Sequence, residues 1–99
     1  MSFSENTSLC EKTGLKRPQM YKVLFYNDDF TPMDFVVDVL EIIFGKSPQE
    51  AYNLMMNVHR SDYAVVGIYT RDIAYTKASA ATDMARKAGY PLKVTAVAC

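Results

Sequence analysis

Tyr21-Lys22-Val23-Leu24-Phe25-Tyr26, Asn27-Asp28-Asp29-Phe30, Thr31-Pro32-Met33-Asp34: across this stretch the chain changes from one local pattern to another, and the rest is read outward from it. The first six residues are β-branched, aromatic and aliphatic, the composition of a buried strand. Asn27-Asp28-Asp29 stops it, because Asn and Asp side chains bond their own backbone and favour turns. Thr31-Pro32-Met33-Asp34 then reads as a helix start. Thr31 is the N-cap, Pro32 takes the first helical position, where its missing N–H costs nothing, and Asp34 places an acid in the first turn. Val36, Val39, Leu40 and Ile43 recur at helical spacing as one apolar face, and Gly45 closes the helix in the left-handed conformation.

The pattern continues downstream. Ser47-Pro48-Gln49-Glu50 carries a full capping box, and Ala51, Leu54, Met55 and Val58 repeat the apolar spacing. Ala64 to Tyr69 reads as a second strand. Thr70 can cap a long third helix with an alanine-rich face of Ala74, Lys77, Ala81, Met84, Ala85 and Ala88, ended by Gly89 and Pro91. Leu92, Val94 and Ala96 alternate with Lys93 and Thr95 in a last strand reaching Ala98. Upstream, residues 1–18 are polar and aperiodic and read as a disordered arm. The expected organisation is one domain over residues 19–99. Its order is β-α-α-β-α-β, an α+β fold with a three-stranded antiparallel sheet packed against three helices.

Composition removes several function classes. In 99 residues the 11 basic and 11 acidic side chains balance, so the chain lacks the clustered cations that contact nucleic-acid phosphates. Asp34, Asp38, Glu41 and Lys46 interrupt the most hydrophobic stretch, so nothing there can span a bilayer. The first residues show no charged region followed by an apolar one, so a cytoplasmic protein is expected. One histidine and two cysteines, Cys10 and Cys99, offer no metal-ligand spacing, and neither a metal nor another cofactor is expected. In that compartment both thiols are expected to be reduced.

With the core residues set aside, one polar group remains: Asn27, Asp28 and Asp29 at the end of the first strand, and His59 near the end of the second helix. If that helix packs beside the first, His59 approaches the Asn-Asp-Asp turn with Met33, Val36, Met55 and Val58 between them. Each part also has a plain explanation. Such a triplet can be a turn and nothing more, a lone histidine near a helix C-terminus can cap the dipole, and Met and Val at helical spacing can be core.

Tyr21-Lys22-Val23-Leu24, Asn27-Asp28-Asp29-Phe30-Thr31-Pro32-Met33-Asp34-Phe35-Val36, Leu54-Met55-Met56-Asn57-Val58-His59, Gly67-Ile68-Tyr69-Thr70, Thr76-Lys77 and Pro91-Leu92 together resemble the ClpS adaptors, from about Met20 to the last strand. These are bacterial N-end rule recognins that bring substrates to the ClpA-type AAA+ unfoldase of the ClpAP protease. The resemblance implies binding without bond chemistry. Asn27, Asp29 and His59 would accept hydrogen bonds from a substrate's α-ammonium, with Asp28 shaping the turn and its charge. Thr31 would hold the turn against the helix start. With Met33, Val36, Met55, Val58 and Leu92 it would surround the first side chain, a Leu, Phe, Tyr or Trp. Asp72 and Lys77 would dock on the unfoldase's N-terminal domain, and residues 1–18 would engage the unfoldase during hand-off. The adaptor is expected to be monomeric.

An α-amino group is mostly an ammonium at neutral pH, and an amide oxygen, a carboxylate and a neutral imidazole nitrogen are three acceptors for its three donors. The sequence departs from the family at Phe30 in place of the commoner Tyr, Ser61-Asp62 at a turn where Gly is usual, Val66 in place of Cys, and Tyr75 in place of an acid. Asn57 near the pocket points to a narrowed preference, as in a second, specialised paralogue. A different reading is a non-catalytic interaction module like the C-terminal domain of the bacterial ribosomal stalk protein, which would make the turn incidental. A small hydrolase built on His59 with Asp28 or Asp29 lacks a Gly-x-Ser-x-Gly elbow or any other nucleophile motif, so no enzyme is expected.

Overall fold

The computed structural model describes residues 19–99, and the arm expected over residues 1–18 lies outside the described residues. The elements are β1 (Met20–Tyr26), α1 (Met33–Ile42), α2 (Pro48–Ser61), β2 (Tyr63–Thr70), α3 (Arg71–Lys87) and β3 (Lys93–Ala98). The expected β-α-α-β-α-β order is what the molecule has. The strands form one antiparallel sheet in the order β2-β1-β3, with the first strand in the centre.

Pairing of β1 with β3 is regular from Tyr21 opposite Ala98 to Tyr26 opposite Lys93. Pairing with β2 slips between Val23, opposite Gly67, and Leu24, opposite Val65, so Val66 is the extra residue of a bulge. Gly67 leaves room there for the Tyr69 ring, since a Cβ on it would stand 2.6 Å from the ring carbons and the ring would have to move. One sheet face carries Val23, Phe25 and Val66 into the core, supported by Tyr21, Ala64, Tyr69, Val94 and Ala96. α3 packs against every strand, α2 packs against β2, and α1 packs on α2 and adds Val36, Val39 and Leu40 to the same core.

The apolar helix faces lie where their spacing put them, with one correction. Val36, Val39 and Leu40 of α1 and Ala51, Met55 and Val58 of α2 are buried, while Ile43 and Leu54 are half-buried against the same core. On α3 the buried stripe is Ala74, Ala78, Ala81 and Ala85. Lys77 and Ala88, expected on that face, are half-buried and exposed. The four alanines recur at i, i+4, i+7 and i+11, and a stripe of methyl groups lets the helix lie close to the sheet.

The helix ends repeat the lesson in finer detail. The capping box of α2 is present: Ser47 Oγ accepts from Glu50 N at 3.2 Å, and the Glu50 carboxylate accepts from Ser47 N at 3.2 Å. Gly45, at φ +65°, donates from its N–H to Glu41 C=O at 3.1 Å and so ends α1. At the end of α3, Tyr90 N–H reaches Ala85 C=O at 2.9 Å and Gly89 N–H reaches Arg86 C=O at 3.0 Å, a Schellman pair around Gly89. Two expected caps are corrected. Pro32, not Thr31, occupies the N-cap of α1, and neither it nor Thr70 at the N-cap of α3 makes a side-chain cap bond. The Thr31 hydroxyl instead donates to the Asp28 carboxylate.

Cys99 is also not the loose reduced thiol expected. It is disulfide-bonded, and its N–H donates to Met20 C=O at 2.9 Å, which holds it against the central strand. Cys10 lies outside the described residues.

Candidate functional site

The turn after β1 is built by one side chain. Asp28 Oδ1 accepts from Phe30 N at 2.8 Å and Thr31 N at 2.7 Å, and Oδ2 accepts from the Thr31 hydroxyl at 2.8 Å. The Thr31 hydroxyl therefore acts as a donor to a carboxylate, and α1 begins one residue later, with Pro32 at its N-cap. Burial alone would raise the Asp28 carboxyl. The Thr31 and Phe30 amides, the Thr31 hydroxyl and the Arg86 guanidinium outweigh it and hold the group below the usual carboxylate range. The ionised form is thus the one built into the loop.

The loop is also anchored from its other side. Asn27 N–H donates to Asp62 C=O at 2.7 Å, and Asp62 is the left-handed C-cap of α2 at φ 72°. The backbone bond brings Asn27 to the end of the helix whose last turn carries His59. Asn27, Asp29 and His59 are exposed, whereas Asp28 and Thr31 are half-buried. The positive φ at Asp62 is a conformation that favours a residue without a Cβ.

The apolar residues of the candidate site divide in two. Val36, Met55, Val58 and Leu92 are buried together in the core cluster, from α1, α2 and the residue before β3. Met33, the first residue of α1, is 45% exposed. Asn57 is exposed on α2.

Asp72 and Lys77 are brought together elsewhere, on α3, where with Ile73 and Thr76 they line a shallow depression of about 260 Å³. Lys77 has internal partners. Its ammonium donates to Ile43 C=O at 2.9 Å and stands 5.8 Å from the Phe44 ring centroid and 5.5 Å from that of Tyr69. Burial pushes the Tyr69 hydroxyl up. Tyr75, the residue in place of an acid, packs at 5.7 Å from the Tyr21 ring with the Arg71 guanidinium 5.7 Å from its own centroid.

Sequence reasoning missed Arg86. Its Nη1 donates to Tyr90 C=O at 2.8 Å and Leu92 C=O at 2.9 Å, fixing the turn that delivers Leu92, and its charge acts on Asp28. The available signal was a cation in the last turn of a helix ended by Gly89, placed to meet carbonyl groups beyond the cap. Among the described residues no three His, Cys, Asp or Glu side chains group as metal ligands, and no helix is long and apolar enough to cross a membrane.

The chain is 48% identical over 90 residues to the ATP-dependent Clp protease adapter protein ClpS of Deinococcus radiodurans, covering 91% of this chain and 80% of that protein. It is 48% identical over 85 residues to ClpS 2 of Rhizobium meliloti, covering 86% of this chain and 84% of that protein. Among solved structures, Agrobacterium tumefaciens ClpS2 bound to L-phenylalaninamide matches with a TM-score of 0.82 and 46% identity, over 84% of this chain and all of that one. The ClpS family, described as the ATP-dependent Clp protease adaptor protein, matches residues 16–95. The capped helices, the three-stranded sheet and the Asn27–Pro32 loop are thus those of a non-catalytic adaptor of the Clp protease, and the chain belongs to the ClpS family.

Proposed function

We propose that this protein recognises proteins by a free α-amino group and a bulky apolar first side chain, Leu, Phe, Tyr or Trp, and delivers them to a ClpA-type AAA+ unfoldase of the cytoplasmic Clp protease. The observation that carries this reading is the anchoring of the Asn27–Pro32 loop. Asp28 fixes it internally, and the bond from Asn27 to Asp62 fixes it to the end of α2 where His59 lies. Asp28 has its oxygens engaged by the loop, which leaves Asn27, Asp29 and His59 as acceptors for an ammonium. The ligand of the Agrobacterium relative supports the chemistry: phenylalaninamide offers a free amine, a benzyl side chain and a carboxamide where the next peptide bond would start.

Val36, Met55, Val58 and Leu92 then form the walls around the first side chain, with Thr31 and Met33 at the mouth. Charge-assisted bonds of about 1.5 to 3 kcal/mol each and burial of a Phe or Leu side chain at about 1.5 to 3 kcal/mol, less ordering costs, give an affinity of roughly micromolar. Asp72 and Lys77 form the docking face for the unfoldase's N-terminal domain. Residues 1–18 act in hand-off, and deleting residues 2–17 should abolish stimulated degradation while leaving peptide affinity unchanged.

Fluorescence anisotropy tests the reading, with peptides that differ only in the first residue, each made with a free and an acetylated N-terminus. Free Phe- or Leu-initiated peptides should bind and acetylated ones should not. Asn27→Ala, Asp29→Ala or His59→Ala should each weaken binding by about 1 to 3 kcal/mol, roughly five- to 150-fold. Equal affinity for free and acetylated peptides excludes it.

A further inference from the structure

A groove of about 600 Å³ runs beside the loop, lined by Phe30 on one side and by Arg86, Gly89, Tyr90 and Pro91 on the other. Its far wall is held in place. Arg86 Nη1 bonds the carbonyls of Tyr90 and Leu92, and the Tyr90 ring packs edge-on to Phe35 with centroids 4.8 Å apart. Its near wall is Phe30, 77% exposed, an apolar ring with its backbone fixed by the Asp28 carboxylate and its side chain left in water. Such an arrangement gains from a ligand that covers the ring.

The groove meets the first-residue site at two points of the chain. Phe30 directly follows Asp29, assigned to the amino group, and Pro91 directly precedes Leu92, assigned to the side-chain pocket. A peptide with its first residue between those two groups places its next Cα about 3.8 Å further on. We infer that this groove is a subsite for the second residue of the bound protein, taking an apolar or aromatic side chain between Phe30 and the Tyr90-Pro91 wall, with Arg86 as the positioning residue of that wall. The inference rests on the proposed recognition of the first residue. L-Phenylalaninamide ends in a carboxamide, so this ligand of the Agrobacterium relative carries no second side chain.

The test is a peptide series with a free Phe in first position and Gly, Ser, Leu or Phe in second, measured by anisotropy against the full-length protein and its Phe30→Ala and Phe30→Tyr variants. Wild type should bind the Phe-Leu and Phe-Phe peptides about three- to ten-fold more tightly than Phe-Gly, from partial burial of two apolar groups. In Phe30→Ala that ratio should fall to about one, and Phe30→Tyr should restore it. Because Phe30 is exposed, the alanine variant tests the wall without opening the core. A flat second-residue series in wild type, or an unchanged ratio in Phe30→Ala, overturns the subsite. An acetylated control binding as tightly as the free peptide overturns the first-residue reading and the subsite with it. Discrimination at the first residue without any at the second overturns the subsite alone.

Discussion

Lys77 on α3 donates its ammonium to the carbonyl of Ile43, the C-cap of α1, at 2.9 Å. The side chain closes a helix end in trans, supplying from another element the cation that the last turn of α1 lacks. It also covers the rings of Phe44 and Tyr69. Lys77→Met should cost about 1 to 2 kcal/mol in urea unfolding, from one charge-assisted bond and the two ring contacts. Asp72→Asn, on the same depression and exposed, should change stability by less than about 0.5 kcal/mol. Weakened binding of a ClpA-type unfoldase's N-terminal domain by Asp72→Asn would therefore support the proposed docking role of this depression, and unchanged binding would overturn it. A Lys77 variant reports on two effects at once.

Asp28 gives a prediction with a direction in pH. Its folded carboxyl titrates below the ordinary value of about 3.9, so its contribution is complete above that value and is lost as pH falls through the lower folded one. Wild type should lose stability on acidification below about pH 4 more steeply than Asp28→Asn. At neutral pH, Asp28→Ala should cost about 1 to 2 kcal/mol through its three lost acceptor bonds. It should also cost more than ten-fold in peptide affinity. Coincident acid profiles for wild type and Asp28→Asn would show that the loop does not depend on the charge.

Met33 stands half out of the surface at the first turn of α1, directly after the Asn27–Pro32 loop. On the proposed reading Met33 lies at the mouth of the first-residue site, where a branched Cβ would meet it, so wild type should exclude Ile- and Val-initiated peptides and Met33→Ala should admit them. Persistent exclusion in the variant, with Phe- and Leu-initiated peptides still bound, assigns selectivity to another residue.

Asp62 is the only described non-glycine residue with a positive φ, and its carbonyl receives the Asn27 amide. Asp62→Gly should stabilise the protein by roughly 0.5 kcal/mol, relief of the left-handed strain being partly offset by glycine's entropy. Asp62→Val should destabilise it by about 1 to 2 kcal/mol and weaken peptide binding through Asn27. Thermal unfolding of the two variants, with anisotropy on each, separates strain from loop placement.

Contiguous residues made much of this legible in sequence. Ser47 and Glu50 form their capping box within one helical turn, so the tetrapeptide was enough. Gly45 and Gly89 ended their helices as read because positive φ is a local property. Thr31 was expected to accept from helix amides, but the helix begins one residue later, with Pro32 at its N-cap, and the Thr31 hydroxyl donates to Asp28, a pairing that only the folded loop shows. Lys77 was placed on the core stripe by its spacing, which cannot show a carbonyl thirty-four residues away. Arg86 was invisible for the same reason, since its partners lie past the helix end and its charge acts on a loop near the start of the fold.

The central position of β1 bears on how the chain acquires its shape. This strand comes first, yet one of its flanks waits for β3, and the register joins Tyr21 to Ala98. α1, α2 and the β1–β2 pair can form while the chain is still emerging from a ribosome, but the sheet remains two-stranded until the last strand is made. Leu92 and the Arg86-bound turn arrive with that strand, so the proposed recognition surface is the last part to be completed. A nascent chain stalled before β3 should resist proteases in its helices only weakly and fail to retain a Phe-initiated peptide. Closing so long a loop should also make this a slow folder for its size.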